Sequence, residues 1–220
     1  FLQEKPRRQA VSRSAAFARL RKVLRPSTFK IILPNFVLGF AAPLVIPYLN
    51  VFFAERHGLS DQSLGILFSL NSLLIGLASL FAPVLADLFR SKIRPVVLTE
   101  GSSIIFLVLI GFTPLRWLAE LSYLARGVLM NMSAPLYTAY ALERVAPEEQ
   151  GTVNSLLNLS WQFGWATFPY LSGIIQKQYG FPPLFVAASI LFTVGVSLIW
   201  VFFHNSEALP QLGLSPAHED

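Results

Sequence analysis

The chain contains no cysteine, which removes disulfide staples and thiolate chemistry from consideration. Histidine is nearly as scarce. His57, His204 and His218 fall in a loop, at a helix end and in the tail, with no cluster at metal-ligand spacing. There is no Gly-x-Ser-x-Gly elbow and no glycine-rich loop that would cradle a phosphate. An intramembrane hydrolase would also need a nucleophile with a base in reach. Catalysis is therefore not expected, and neither a cofactor nor a metal is implied. Charge is sparse too: 13% of residues are charged against 54% hydrophobic, and mean hydropathy is +0.55. That balance is too apolar for a soluble domain of this size and far from a disordered composition.

What the chain has instead is six apolar stretches, each near the ~20 residues an α-helix needs to cross a bilayer core. They run over Lys30–Ala54, Gln62–Leu88, Pro95–Thr113, Leu118–Leu142, Thr152–Gln176 and Pro182–Phe203. In lipid a backbone must satisfy its own hydrogen bonds, so the stretches are read as helices. The connections Glu55–Asp61, Phe89–Arg94, Pro114–Trp117, Glu143–Gly151 and Lys177–Phe181 are short, which sets neighbouring helices antiparallel. A net charge of +5 would suit nucleic acid, but the basic residues flank the apolar stretches, so membrane lipid is the expected partner. The basic arm, Arg90, Lys92, Arg94 and Arg144 lie on one side, and only Arg56, Arg116 and Lys177 on the other. By the positive-inside rule both termini are expected to be cytoplasmic, in a plasma or inner membrane.

The expected organisation is a basic linker at 1–27, a membrane domain at 28–204 and a tail at 205–220. In the linker Phe17, Leu20 and Leu24 recur at helical spacing, which fits a surface helix and a solvated linker equally. The tail, with Pro210, Pro216 and three acids, is expected to be disordered. The chain opens on Phe1, in a segment without a signal peptide's apolar core, and is expected to be a piece of a longer product.

Polar residues inside the stretches are the candidates for function. The first stretch carries Pro34, Pro43 and Pro47, which should kink it, with Asn35, Gly39, Ala42, Ile46 and Asn50 on one stripe. Such interrupted helices line transporter cavities, or meet neighbours through satisfied amides. The second presents Gly65, Ser69, Ser72, Gly76 and Ser79 as a small-residue face for close helix packing, with Asn71 pointing elsewhere. In the fourth, Arg126 lies about nine residues deep and should face the bundle interior, with Tyr137 on its face and Asn131 a third of a turn round. The fifth places Asn154, Asn158, Trp161, Gln162, Trp165 and Ser172 on one face, as a cavity wall or a hydrogen-bonded seam. Glu100, in the third, would suit proton coupling as a buried carboxyl, but is expected to pair with a loop base such as Arg94. Asp87, followed by Arg90, Lys92 and Arg94, can bind across helix ends as a cytoplasmic gate, or simply punctuate the positive side.

Leu85-Ala86-Asp87 with Arg90, Lys92 and Arg94 resembles the cytoplasmic loop motif of major facilitator superfamily transporters, Gly-x-Leu-Ala-Asp-Arg-x-Gly-Arg-Arg or Lys. Pro83 and Arg90 replace its glycines and Leu88 its first arginine. Pro147-Glu-Glu-Gln-Gly151, leading into Asn154, Asn158 and Trp161, is similar to the start of that superfamily's eleventh helix. Gly164-x-x-x-Phe168-Pro169-x-x-Ser172-Gly173 resembles its Gly-x-x-x-Gly-Pro-x-x-Gly-Gly pattern.

The resemblance implies an all-α integral membrane fold of six transmembrane helices, helices seven to twelve of twelve, built as two inverted three-helix repeats. It further implies a small-molecule substrate, alternating access with proton coupling in which Arg126 would take part by pseudo-symmetry, and an N-terminal six-helix half absent from this chain. The implied substrate path comprises Asn35, Asn50, Asn71, Arg126, Asn131, Tyr137, Asn154, Asn158, Trp161 and Gln162, and the implied gate Asp87, Arg90, Lys92 and Arg94. A self-sufficient six-helix protein acting as an oligomeric channel or assembly factor is the alternative.

Overall fold

The computed structural model describes residues 25–204. The expected surface helix of the arm and the tail from residue 205 lie outside the described residues. Within them the chain is helical and has no strand.

The first apolar stretch is broken by its prolines. Helix α1 (Pro26–Ala41) accommodates Pro34. Pro43 and Pro47 then force two short 3-10 turns, Ala42–Leu44 and Ile46–Tyr48, before α2 (Leu49–His57) resumes. Proline has no N–H to give and its ring crowds the carbonyl four residues back, so tighter turns carry the chain through. Gly58 ends α2 in the left-handed region (φ 65°), where a side chain would be strained, and its N–H donates to the Ala54 carbonyl.

The second stretch divides as well. Helix α3 (Asp61–Ser79) starts on Ser60, whose hydroxyl accepts from the Ser63 N–H. It stops before Pro83, and α4 (Ala82–Phe89) follows with that proline in its first turn. Helix α5 (Ile93–Phe112) forms the third stretch. The fourth is α6 (Arg116–Met132) and α7 (Ala134–Glu143), separated at Ser133 just before Pro135. Helix α8 (Pro147–Tyr179) is continuous over 33 residues, about 50 Å at the helical rise. Helix α9 (Pro182–Phe203) completes the bundle.

Four of these helical segments are long and apolar enough to cross a membrane: Pro26–His57, Asp61–Ser79, Ile93–Phe112 and Pro182–Phe203. The fourth and fifth stretches form helices too, but the break at Ser133 leaves α6 only 17 residues long, and Arg126, Asn131, Asn154, Asn158 and Gln162 dilute their apolar character. Their polar residues suit contact with protein or water more than with lipid.

The most extensive packing joins α5 to α6, α1 to both α9 and α8, α5 to α9, and α3 to α6. At one end Phe52 and Phe53 of α2 fill the core, Phe52 lying 4.9 Å from the Phe185 ring and Phe53 5.7 Å from Tyr123. Leucines and isoleucines such as Ile66, Leu73, Leu98, Ile105 and Ile190 point outward, as they do on a lipid-facing surface.

At the α1–α8 crossing backbone meets backbone. A Cβ on Gly164 would run into the Gly39 carbonyl oxygen, and one on Gly39 would lie 2.9 Å from the Trp161 Cα. Around it Asn35 Nδ2 donates to the Leu157 carbonyl and the Ser160 hydroxyl, both at 2.8 Å. Further along, Tyr48 donates to the Pro169 carbonyl (2.9 Å) and Ser172 to the Leu44 carbonyl. These carbonyls belong to interrupted or proline-containing backbone, where such bonds matter most in a dry interior.

The small-residue face of α3 is a correction to the expectation of close packing. Gly65 and Gly76 meet nothing within 4 Å, and Ser69 and Ser72 are exposed. Helix α3 turns Leu64, Leu67, Asn71 and Ala78 inward instead.

One substitution made at two glycines separates helix crossing from helix propensity. Gly164→Ala should destabilise the detergent-solubilised protein by about 1–3 kcal/mol through overpacking against backbone. Gly151→Ala, with open space around it, should stabilise it by up to about 1 kcal/mol. Thermal unfolding of the two variants provides the check, and equal shifts would contradict the crossing.

Candidate functional site

The break between α6 and α7 and the kinked α1 leave room beside α8 for a cavity of about 340 Å³. Six residues of the expected path line it together: Asn35 from α1, Asn131 from α6, Tyr137 from α7, and Asn154, Asn158 and Trp161 from α8. Leu38, Met130 and Leu157 add apolar wall, and Thr138 a hydroxyl. Asn131 and Asn158 donate to carbonyls of their own helices, Gly127 and Asn154. Tyr137 is buried and donates to the Ile31 carbonyl at 2.6 Å, tying α7 to α1.

The other four path candidates lie elsewhere. Asn50 is exposed beyond the break, because the 3-10 turns destroy the helical register that aligned it with Asn35. Gln162 is exposed on α8. Asn71 is buried at the α3–α6 contact, where its Nδ2 donates to Tyr123 (3.3 Å) and its Oδ1 abuts Gly127 without a hydrogen bond. Arg126 is 6% exposed, as its depth implied, but turns to α9, with its guanidinium 4.8 Å from the centre of the Phe192 ring. Its Nε has no hydrogen-bond partner.

Glu100 departs from expectation most. It lines the cavity and is 5% exposed, its Oε2 has no hydrogen-bond partner, and it forms no ion pair with Arg94. The reason is helical register. Six residues separate Arg94 from Glu100, which sets them about a third of a turn apart; Arg94 is exposed, whereas Glu100 shares the inward row Val96, Thr99, Ser103, Leu107 and Ile110. An acid in mid-stretch was the available signal; that inward row was the pattern to weigh with it.

Of the gate candidates, Lys92 makes an ion pair with Glu143, joining the start of α5 to the end of α7. Arg90 ends α4 in the left-handed region (φ 47°). The Arg94 N–H donates to the Ser91 hydroxyl (2.9 Å). Asp87 is exposed near the C-terminal end of α4.

Apolar helices long enough to span a bilayer, with amides and a carboxyl gathered round one cavity, define a polytopic membrane protein of the transport class. The chain belongs to the Major Facilitator Superfamily, whose family model matches residues 20–216. It is a transporter family and not an enzyme family. The chain is 27% identical over 172 residues to the "Multi-drug resistance efflux pump PmrA" of Streptococcus pneumoniae, covering 75% of this chain and 42% of that protein. It is 29% identical over 185 residues to the "Multidrug resistance protein MdtG" of Salmonella choleraesuis, covering 80% and 44% respectively. A third relative, the "Uncharacterized MFS-type transporter YhhS" of Salmonella enteritidis, is 25% identical over 100 residues, 46% of this chain and 25% of the relative. The chain thus spans less than half the length of these curated relatives.

An unpaired buried charge costs several kcal/mol, only partly offset by a ring contact of up to ~2 kcal/mol. Arg126→Met should therefore unfold at the same temperature as the parent or higher. A melting temperature lowered by several degrees in a detergent thermal-shift measurement would show that the guanidinium holds the bundle together.

Proposed function

We propose that these residues form the C-terminal six-helix half of a secondary transporter, which moves a small molecule by alternating access around a site near the bilayer midplane. The observation that carries the reading is the cavity between α1, α5, α6, α7 and α8, whose amides Asn131, Asn154 and Asn158 stay exposed on its open side. The uncovered small-residue face of α3 supports the same reading. A second six-helix half would cover both surfaces.

The packing pattern supports two inverted repeats. Exchanging the first three crossings for the last three turns the α1–α9 contact into α6–α5 and α1–α8 into α6–α3, while α5–α9 maps onto itself. The first and fourth crossings, equivalent under this exchange, are both interrupted before a proline. With the arm, Lys92 and Arg144 on the inner side, both termini are cytoplasmic, and the Lys92–Glu143 pair is one strut of a cytoplasmic gate. The names of two relatives point to drug-like cargo leaving the cell. Proton coupling is the energy source this reading adopts.

Three experiments test the reading. Cells expressing residues 1–220 alone should show no drug export above background, and co-expression with the matching six-helix half should restore it. Robust transport by the purified chain alone, or a stable symmetric oligomer in native mass spectrometry, would favour the channel reading instead. In the complete protein, Arg126→Gln should weaken cargo accumulation and flatten its pH dependence; unchanged values would make Arg126 structural.

A further inference from the structure

Helices α5 and α9 pack against each other but leave an open groove of about 790 Å³ at the end of the bundle where α5 begins and α9 stops. At its mouth stand the guanidinium of Arg94 and the indole of Trp200, both exposed. No acid among the described residues lines it. One turn further along the two helices, Val97 and Leu98 on α5 and Val196 on α9 make the wall apolar, and Ser197 adds a hydroxyl. The outward rows of both helices continue this surface. Leu98 and Ile105 on α5, and Val201, Val194 and Ile190 on α9, are all at least 45% exposed, and spacings of seven and four keep each row on one face. From Arg94 to Ile105 the helical rise is about 16 Å, half of a hydrocarbon core of roughly 30 Å. The guest that uses every part of this surface has an anionic head and an apolar chain half a bilayer long. A guanidinium binds a phosphodiester through paired N–H bonds, and an indole sits at headgroup level. A soluble anion would leave the apolar track unused, and an uncharged lipid would leave the guanidinium unused.

We propose that the α5–α9 groove binds an anionic phospholipid, whose phosphate sits at the Arg94 guanidinium and whose acyl chain lies along Leu98, Val196 and Val201. The leaflet rests on the topology reading above, which places this end of the bundle on the cytoplasmic side, where anionic lipid gathers. The second six-helix half is a different neighbour: that reading sets it on α3 and on the open side of the cavity, whereas α5 and α9 form the groove. A lipid held here bears on the gate as well. Arg94 lies two residues beyond Lys92, which pairs with Glu143 of α7, so a bound phosphate pins the start of α5 beside that strut.

The test follows lipid retained by the full-length protein in native mass spectrometry from detergent micelles, with dioleoyl phosphatidylglycerol and dioleoyl phosphatidylcholine as probes of matched chains. Phosphatidylglycerol should be retained over phosphatidylcholine, and inorganic phosphate should not compete with it. Arg94→Gln should weaken phosphatidylglycerol binding about fivefold, the scale of one basic residue at a membrane surface. Arg116→Gln, at the other end of the bundle, should leave it unchanged. A measurement on the parent protein guards against a misfolded variant: phosphatidylglycerol with a diazirine in its acyl chain should label Leu98 or Val201 more strongly than the phosphatidylcholine analogue does, as read by peptide mass. Equal retention of the two lipids, equal labelling by them, undiminished binding in Arg94→Gln, or displacement by inorganic phosphate each overturns the proposal. A stable dimer crosslinked through Trp200 overturns it too, by making the groove an interface between copies. Micelles have no leaflets and none of these readouts involves transport, so they decide the site whether or not the topology and transport readings hold.

Discussion

The structure depends on the contact of α1 with α8, where the backbones of Gly39 and Gly164 touch. Side chains at that crossing would hold the helices apart, and the hydrogen bonds flanking it would open. Those bonds matter because α1 is interrupted. Two turns of 3-10 geometry leave carbonyls without their usual helical partners, and in a membrane protein no bulk water is at hand to replace them. Ser172 serves one such carbonyl at Leu44, while Asn35 and Tyr48 tie either side of the break to α8. Fixing the break fixes the cavity, since Asn35 and Leu38 on α1 line it beside Asn154, Leu157 and Trp161 on α8.

Much of this was legible in the chain. Length and apolarity marked the helices, because a backbone that must satisfy itself within lipid leaves few alternatives. Prolines marked where the first helix would fail, at Pro43 and Pro47, whereas the second and fourth stretches were read as single helices and the breaks beside Pro83 and Pro135 were missed. The face of α8 was legible for the same reason, since amides repeated at helical spacing cannot all meet lipid. Six of the ten path residues accordingly meet at one cavity.

What was not legible depended on register across a break and on partners. Asn50 was aligned with Asn35 by assuming one continuous helix, and two 3-10 turns undo that phase. Spacing shows that Gly65, Ser69, Ser72 and Gly76 share a face, not whether another helix lies against it. Asn71 and Arg126 were correctly placed inward, but an inward direction has more than one destination: one went to Tyr123 and Gly127, the other to Phe192. Glu100 was assigned the nearest base in sequence, although proximity along a helix is not proximity around it.

Glu100 and Arg126, the buried acid and the buried base, are the residues that stability alone explains least. A bundle shaped for stability alone would pair Glu100 with Arg126, on neighbouring helices, or replace both with apolar residues; either removes an uncompensated charge from a dry interior. The fold does neither. It turns the guanidinium to a ring on α9 and leaves the carboxylate at the cavity wall, each with a polar atom lacking a partner. Marginally stable proteins retain such liabilities where function needs them.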